Sequence, residues 1–208
     1  MSRRTIAIAA ALSVLALGSP LNVVRANPLF DQYVNQGVES YNSGNYRGAL
    51  AAYTKAIEIE PQYAFLYNYR GDAKRHLQDF QGAIADYTKA IEINPQVEEA
   101  YFHRGVSKAR LKDFHGSISD FTEAIQINPQ DALAYYNRAL SNSNLKDYQA
   151  AIADYTKAIE INPQYSNAYV NRGIDREAVN DLQGACRDWR KAVDLGNKRP
   201  AEWVKKQC

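Results

Sequence analysis

The chain has 208 residues, with 25 lysines and arginines against 23 aspartates and glutamates, and only two cysteines. That is material for one ordinary domain or one short solenoid. The near-balance of charge excludes the broadly basic surface that nucleic-acid binding requires.

Arg3 and Arg4 precede an apolar run from Ile6 to Leu17, which Gly18, Ser19 and Pro20 break. The run is too short to span a bilayer as a stable helix. Val24 and Ala26 stand at the two positions a signal peptidase reads. These features predict a signal peptide over residues 1–26; a cut after Gly18 and an uncleaved anchor are the alternatives. Removing Arg3, Arg4 and Arg25 from the 25 bases leaves 22 against 23 acids, a net charge of −1. The mature chain then has no positive surplus for nucleic acid, and no later segment is apolar enough to cross a membrane.

From Phe30 onward the chain repeats. Tyr53–Pro61, Tyr87–Pro95, Phe121–Pro129 and Tyr155–Pro163 are near-copies offset by 34 residues. A fixed period of this length marks a stacked helical array, in which each unit buries its apolar face only against its neighbours. Aligned on the prolines, the units run 30–63, 64–97, 98–131, 132–165 and 166–199. Each holds two helical patterns. The first carries an aromatic (Tyr33, Tyr67, Tyr101, Tyr135, Tyr169) and, four residues on, a small residue (Gly37, Gly71, Gly105, Ala139, Gly173), which lets the paired helix approach. The second starts after Asn45, Asp79, Asp113, Asp147 or Asp181, side chains suited to accept from an unpaired helix N–H. Its inward stripe is a small residue, an aromatic and an alanine, as in Ala83, Tyr87 and Ala90. Asn-Pro ends it, because the residue before proline avoids the α region. A last helix is expected around Pro200–Lys206, within a capping segment over 200–208.

The aromatic–Gly–Ala–aromatic–Ala–Pro series, repeated five times from Phe30 to about Arg199, resembles the tetratricopeptide repeat family. The resemblance implies an all-α, right-handed superhelical solenoid of five helix-turn-helix units plus a C-terminal capping helix. It also implies a scaffold or adaptor that binds a peptide or protein on its concave face. The export signal, the DYTKAI copies and the Gly184–Trp189 ending are similar to tetratricopeptide proteins of bacteria, cyanobacteria among them. The expected compartment is the periplasm, a thylakoid lumen or the extracellular space, with a role in assembling an envelope or photosynthetic-membrane complex.

Arg70, Arg104, Arg138 and Arg172 share one place in the first helix, and Asp86, Asp120, Asp154 and Asp188 share one in the second. The first unit lacks both, with Gln36 and Ala52 instead. Joint absence predicts that each Arg meets an Asp through a charge-assisted bond, since buried charge is tolerated chiefly when paired. An arginine row for an acidic ligand is the alternative.

Positions that differ between copies fall at the second, fifth, ninth and twelfth places of the first helices, a stripe along one face. By the resemblance this stripe is the ligand-facing one. The candidate groove residues on and beside it are Phe65, Asn68, Tyr69, Phe102, His103, Val106, Leu133, Tyr136, Asn137, Leu140 and Asn171. Rings would pack a peptide's side chains and amides would bond its backbone. At the places where chaperone-binding relatives hold a C-terminal carboxylate, Val34, Val38, Tyr69, Glu99 and His103 supply no cluster of cations, so that clamp is not expected.

His76, His103 and His115 have no zinc-type spacing to Cys or Asp, and neither a phosphate loop nor a nucleophile motif appears. The expectation is a non-enzyme without metal or cofactor, a monomer or weak homo-oligomer with an unidentified protein or peptide partner. A self-assembling structural protein without a ligand is the second reading. Finally, Cys186 and Cys208 lie eleven residues either side of Asn197, near the expected turn between the last two helices. Both helices travel the same distance back from that turn, which predicts a disulfide. Two unpaired thiols are the alternative.

Overall fold

A computed structural model describes residues 27–208, and the expected signal peptide over residues 1–26 lies outside them. Among the described residues there are eleven helices and no strand, as the all-α reading requires. The five units supply α1 (Pro28–Asn42) and α2 (Tyr46–Ile59), α3 (Ala64–His76) and α4 (Phe80–Ile93), α5 (Glu98–Arg110) and α6 (Phe114–Ile127), α7 (Ala132–Asn144) and α8 (Tyr148–Ile161), and α9 (Ser166–Ala178) and α10 (Leu182–Asp194). The cap is α11 (Ala201–Gln207). Each helix packs on the next in chain order, and α3 also touches α5, as α5 touches α7. The first helices of successive units therefore lie side by side and line one face, with the second helices behind them.

The local chemistry explains the helix ends. Asn45, Asp79, Asp113, Asp147 and Asp181 each accept a hydrogen bond from the backbone N–H three residues on, as N-caps. Asn94, Asn128 and Asn162, each before a proline, leave the helical region and close α4, α6 and α8. The turn inside each unit passes through a left-handed residue: Gly44, Gln78, Lys112, Lys146 and Asn180, at φ of 64 to 78°. Only Gly44 takes that conformation without a Cβ penalty, so the other turns carry a small local cost.

The core is a column of rings and small side chains. Tyr53, Tyr87, Phe121, Tyr155 and Trp189 are at most 2% exposed, and Ala56, Ala90, Ala124, Ala158 and Ala192 are fully buried. Each ring presses on the small residue of its partner helix. A Cβ on Gly71 would lie 2.7 Å from the Tyr87 ring, and one on Gly105 3.0 Å from Phe121. Two buried hydroxyls in the column satisfy each other: Ser117 bonds Ser141 of the next unit at 2.8 Å.

The Arg–Asp ladder forms within the helix pairs of the second to fifth units. Arg70 reaches Asp86 through Nε at 2.9 Å and Nη2 at 2.7 Å, and Arg104, Arg138 and Arg172 repeat this on Asp120, Asp154 and Asp188. The remaining nitrogen donates to a threonine of the preceding unit, Thr88, Thr122 and Thr156 at 2.9–3.0 Å and Thr54 at 3.4 Å. The first unit, with Gln36 and Ala52 at the matching places, has no such rung. The guanidiniums are committed to the scaffold and do not form a row open to an acidic ligand. Behind them, Tyr67, Tyr101, Tyr135 and Tyr169 present their faces to the same guanidiniums, 5.4–5.6 Å from ring centre.

Candidate interaction face

The face lined by the first helices carries the stripe read from the sequence, but its places differ in depth. The second place is open: Phe65 is 45% exposed and Leu133 50%. The fifth place turns inward. Asn68 and Val170 are buried, while Phe102 packs edge-on against Phe121, ring centres 5.6 Å apart, and Tyr136 lies 4.7 Å from the Tyr165 ring and 5.7 Å from Tyr155. Phe102 and Tyr136 are thus scaffold on one side and surface on the other.

Two hollows follow from this relief. One is lined by Glu98, Glu99, Phe102, His103, Asp131 and Leu133. Burial, with the carboxylates of Asp131 and Glu99 nearby, pushes Glu98 up to about 7. Burial lowers the pKa of His103, although Asp72, 3.8 Å from its Nε2, works in the opposite direction. The imidazole is therefore neutral near pH 7, a hydrogen-bonding group rather than a cation. The second hollow brings Val106, Asn137 and Leu140 together with Arg110 and Lys112 at one rim. On α5, Glu98 and Glu99 open the helix and Lys108 and Arg110 close it, in the sense that the helix dipole favours.

The amides are less free than the sequence implies. Asn137 donates to its own helix at Leu133 O, 2.8 Å, and Asn171 donates to the Tyr136 hydroxyl at 2.9 Å. Asn68 is buried with its side-chain oxygen unpartnered. The side-chain oxygens of Asn137 and Asn171, with Tyr69, His103 and the exposed Glu99, are among the polar groups left on this face. The periodic pattern could not expose these bonds, because they join residues at places that vary from unit to unit.

At the C-terminal end, Cys186 and Cys208 form a disulfide with Cα atoms 5.6 Å apart. It fastens α11 over α10, where Trp203 meets Trp189 at 5.2 Å between ring centres and the Cys208 carbonyl accepts from Arg190 at 2.6 Å. Among the described residues no group of His, Cys, Asp and Glu is arranged to hold a metal ion, and no helix is long and apolar enough to cross a membrane.

Solved structures with the same architecture include a MamA protein, 24% identical over 84% of this chain and 95% of that one, with a TM-score of 0.77. MamA residues 41 to the end from Desulfovibrio magneticus RS-1 is 19% identical over 82% and 97%, with a TM-score of 0.78. YrrB, described as a TPR protein with an unusual peptide-binding site, is 19% identical over 85% and 91%, with a TM-score of 0.74. At these identities the likeness concerns the fold. No curated protein sequence matches the chain. Its own sequence matches the tetratricopeptide repeat over residues 30–63, 98–131 and 132–165, and a TPR repeat over 71–112. With the helix pairs, their capped ends and the ring-on-glycine core in the same register, the chain belongs to the tetratricopeptide repeat family.

Proposed function

We propose that this chain is an exported protein-interaction scaffold that seats an extended or helical segment of a partner along the face formed by its first helices. The carrying observation is the pair of open apolar side chains, Phe65 and Leu133, set beside the half-buried Phe102 and Tyr136 on that face. Exposed apolar side chains spaced along one face, with the exposed Glu99 at the same place between them, suit the separated side-chain anchors of a bound segment. YrrB's peptide-binding description supports a peptide as the ligand class. Export rests on the N-terminal pattern, and a cut after Ala26 leaves the helical body whole, because Asn27 is the N-cap of α1. The cysteine pair fits an oxidising compartment.

Site-specific photocrosslinking in the native organism tests the face. A crosslinker at Leu133 should trap a partner band that the same group at Glu92, exposed on the opposite helix layer, does not. Equal trapping at both positions would reject the face as the site. N-terminal sequencing together with protease protection in intact cells tests export: a chain that keeps Met1 and stays on the cytoplasmic side would reject it.

A further inference from the structure

We propose that a cavity enclosed by α1, α2 and α3 binds a methylated ammonium head group of the kind choline carries. The site goes beyond peptide docking and its test is independent of that reading.

The cavity is about 100 Å³ and is lined by Val38, Tyr41, Asn42, Tyr53, Tyr69 and Asp72. Its size falls below the roughly 300–1,000 Å³ of pockets that enclose whole drug-like ligands, so it takes one compact group. Three of its walls are phenol rings. Tyr53 forms the buried floor, and Tyr69 stands 5.8 Å from it at 33° between planes. Tyr41 is held from outside by Tyr46 and His76, at 5.4 and 5.5 Å between ring centres. Aromatic rings lining a small space can attract a weakly hydrated cation, and methyl groups fill an apolar lining that an ammonium with three N–H donors would not satisfy.

Charge points the same way. Asp72 Oδ1 accepts from the Tyr87 hydroxyl at 2.9 Å and from Arg75 at 3.2 and 3.4 Å, whereas Oδ2 accepts no hydrogen bond among the described residues. Arg75 therefore offsets part of the carboxylate from one side and leaves the other oxygen uncommitted. Asn42 and Tyr41 also belong to the last turn of α1, the negative end of its dipole. Burial raises the Tyr41 hydroxyl to about 12 and raises Tyr53 and Tyr69 as well, with the Asp72 charge contributing to each and Arg75 opposing it at Tyr41. All three rings stay neutral, as a cage for a cation requires.

The repeat provides an internal comparison. At the place of Tyr41 the next units carry Arg75, Ala109 and Ser143, and at the place of Asp72 they carry Val106, Leu140 and Ile174. Between the second and third units the chain thus puts its own cation, Arg75, where the first unit puts a ring. The later junctions lack both ring and carboxylate at these places.

The test uses the mature chain with its tyrosine rings isotope-labelled, titrated at constant ionic strength with choline chloride, glycine betaine, guanidinium chloride and a trimethyllysine peptide. Choline should shift the Tyr41, Tyr53 and Tyr69 resonances saturably. Betaine should bind more weakly, because its carboxylate meets Asp72. Asp72→Asn keeps an acceptor for Tyr87 and Arg75 and should weaken choline about tenfold, and Tyr41→Leu, which keeps the apolar wall but removes the ring face, should do so to a similar extent. Circular dichroism identifies any variant that fails to fold, and the wild-type ligand series then carries the test alone. Absence of saturable shifts, or guanidinium binding as well as choline, would overturn the site. Binding of the trimethyllysine peptide without choline would overturn the assignment to a free ligand.

Discussion

Asp154 of α8 meets the Asn142 amide at 3.4 Å, where the matching aspartates of the other ladder units meet a second cation. Lys74 lies 2.7 Å from Asp86, Lys108 2.8 Å from Asp120, and Arg176 2.8 Å from Asp188. The rung in the fourth unit has one cation for its buried carboxylate and the others have two.

Asn142→Lys should therefore add the missing ammonium. The stem can follow the path Lys74 and Lys108 take, whose side chains keep about a fifth of their surface in solvent. A stabilisation of about 1 kcal/mol is expected, read as a higher urea midpoint at an unchanged slope. No gain would show that Arg138 alone neutralises Asp154. Removing an anion has the opposite effect: Asp120→Asn leaves Arg104 and Lys108 facing each other and should cost about 3 kcal/mol. A cycle with Arg104→Gln should show coupling above about 0.5 kcal/mol. A straight charge swap is less informative, because the new arginine would face Lys108.

What repeats at a 34-residue period was legible in the sequence. The helix pairs, the caps, the ring-on-glycine contacts, the Arg–Asp partners and the cysteine pair all follow from spacing. What the period hides is depth. Asn68 and Phe65 belong to one stripe, yet one is buried and the other open, because the fifth place leans towards the second helix and the second does not. The threonines of the ladder carry no charge to pair by and lie one unit back, and the second cations sit at a place that changes from Lys74 and Lys108 to Asn142 and Arg176, so neither stands out from the period. The left-handed turn residues Gln78, Lys112 and Lys146 carry no glycine signal at all.

The cap offers a second prediction. The disulfide closes a segment of sequence separation 22, for which the loop model gives about 3 kcal/mol. Replacing both cysteines by serine should loosen α11, expose Trp203 and lower the melting temperature, without changing the helicity of the five units. Tryptophan fluorescence reports the loosening directly. Unchanged emission and melting in the double variant would show that the Trp189–Trp203 contact holds the cap without the bridge.

A third concerns Asp175, which is 2% exposed with one carboxyl oxygen unpartnered and the other accepting from Ser143 at 2.8 Å. Burial pushes it from 3.8 up to about 6, against the opposing Ser143 bond. The folded chain thus holds this proton more tightly than the unfolded one. Stability from the group is full below about pH 4 and is lost as pH rises through about 6. The matching places in the third and fourth units are Ser107 and Ser141, each bonding the carbonyl four residues back. Asp175→Ser should reproduce that bond and stabilise the chain by about 1–2 kcal/mol at pH 7.5, but by much less at pH 4.5. Melting curves at the two pH values check it, and an equal effect at both would show that charge burial is not the cause.

The last concerns the interaction face, where depth decides which substitutions are informative. Phe102→Ala would remove a ring that supports Phe121, so lost binding would be confounded with lost packing. Phe65 and Leu133 avoid this, since about half of each side chain already stands in solvent. Changing both to serine should leave helicity and melting temperature nearly unchanged, because exposed positions usually cost under about 0.5 kcal/mol. Partner affinity should fall at least tenfold if either is an anchor, as hot-spot side chains are worth about 2 kcal/mol or more. Calorimetry against the partner trapped by crosslinking measures this directly. Full affinity in the double variant would move the contact off this face.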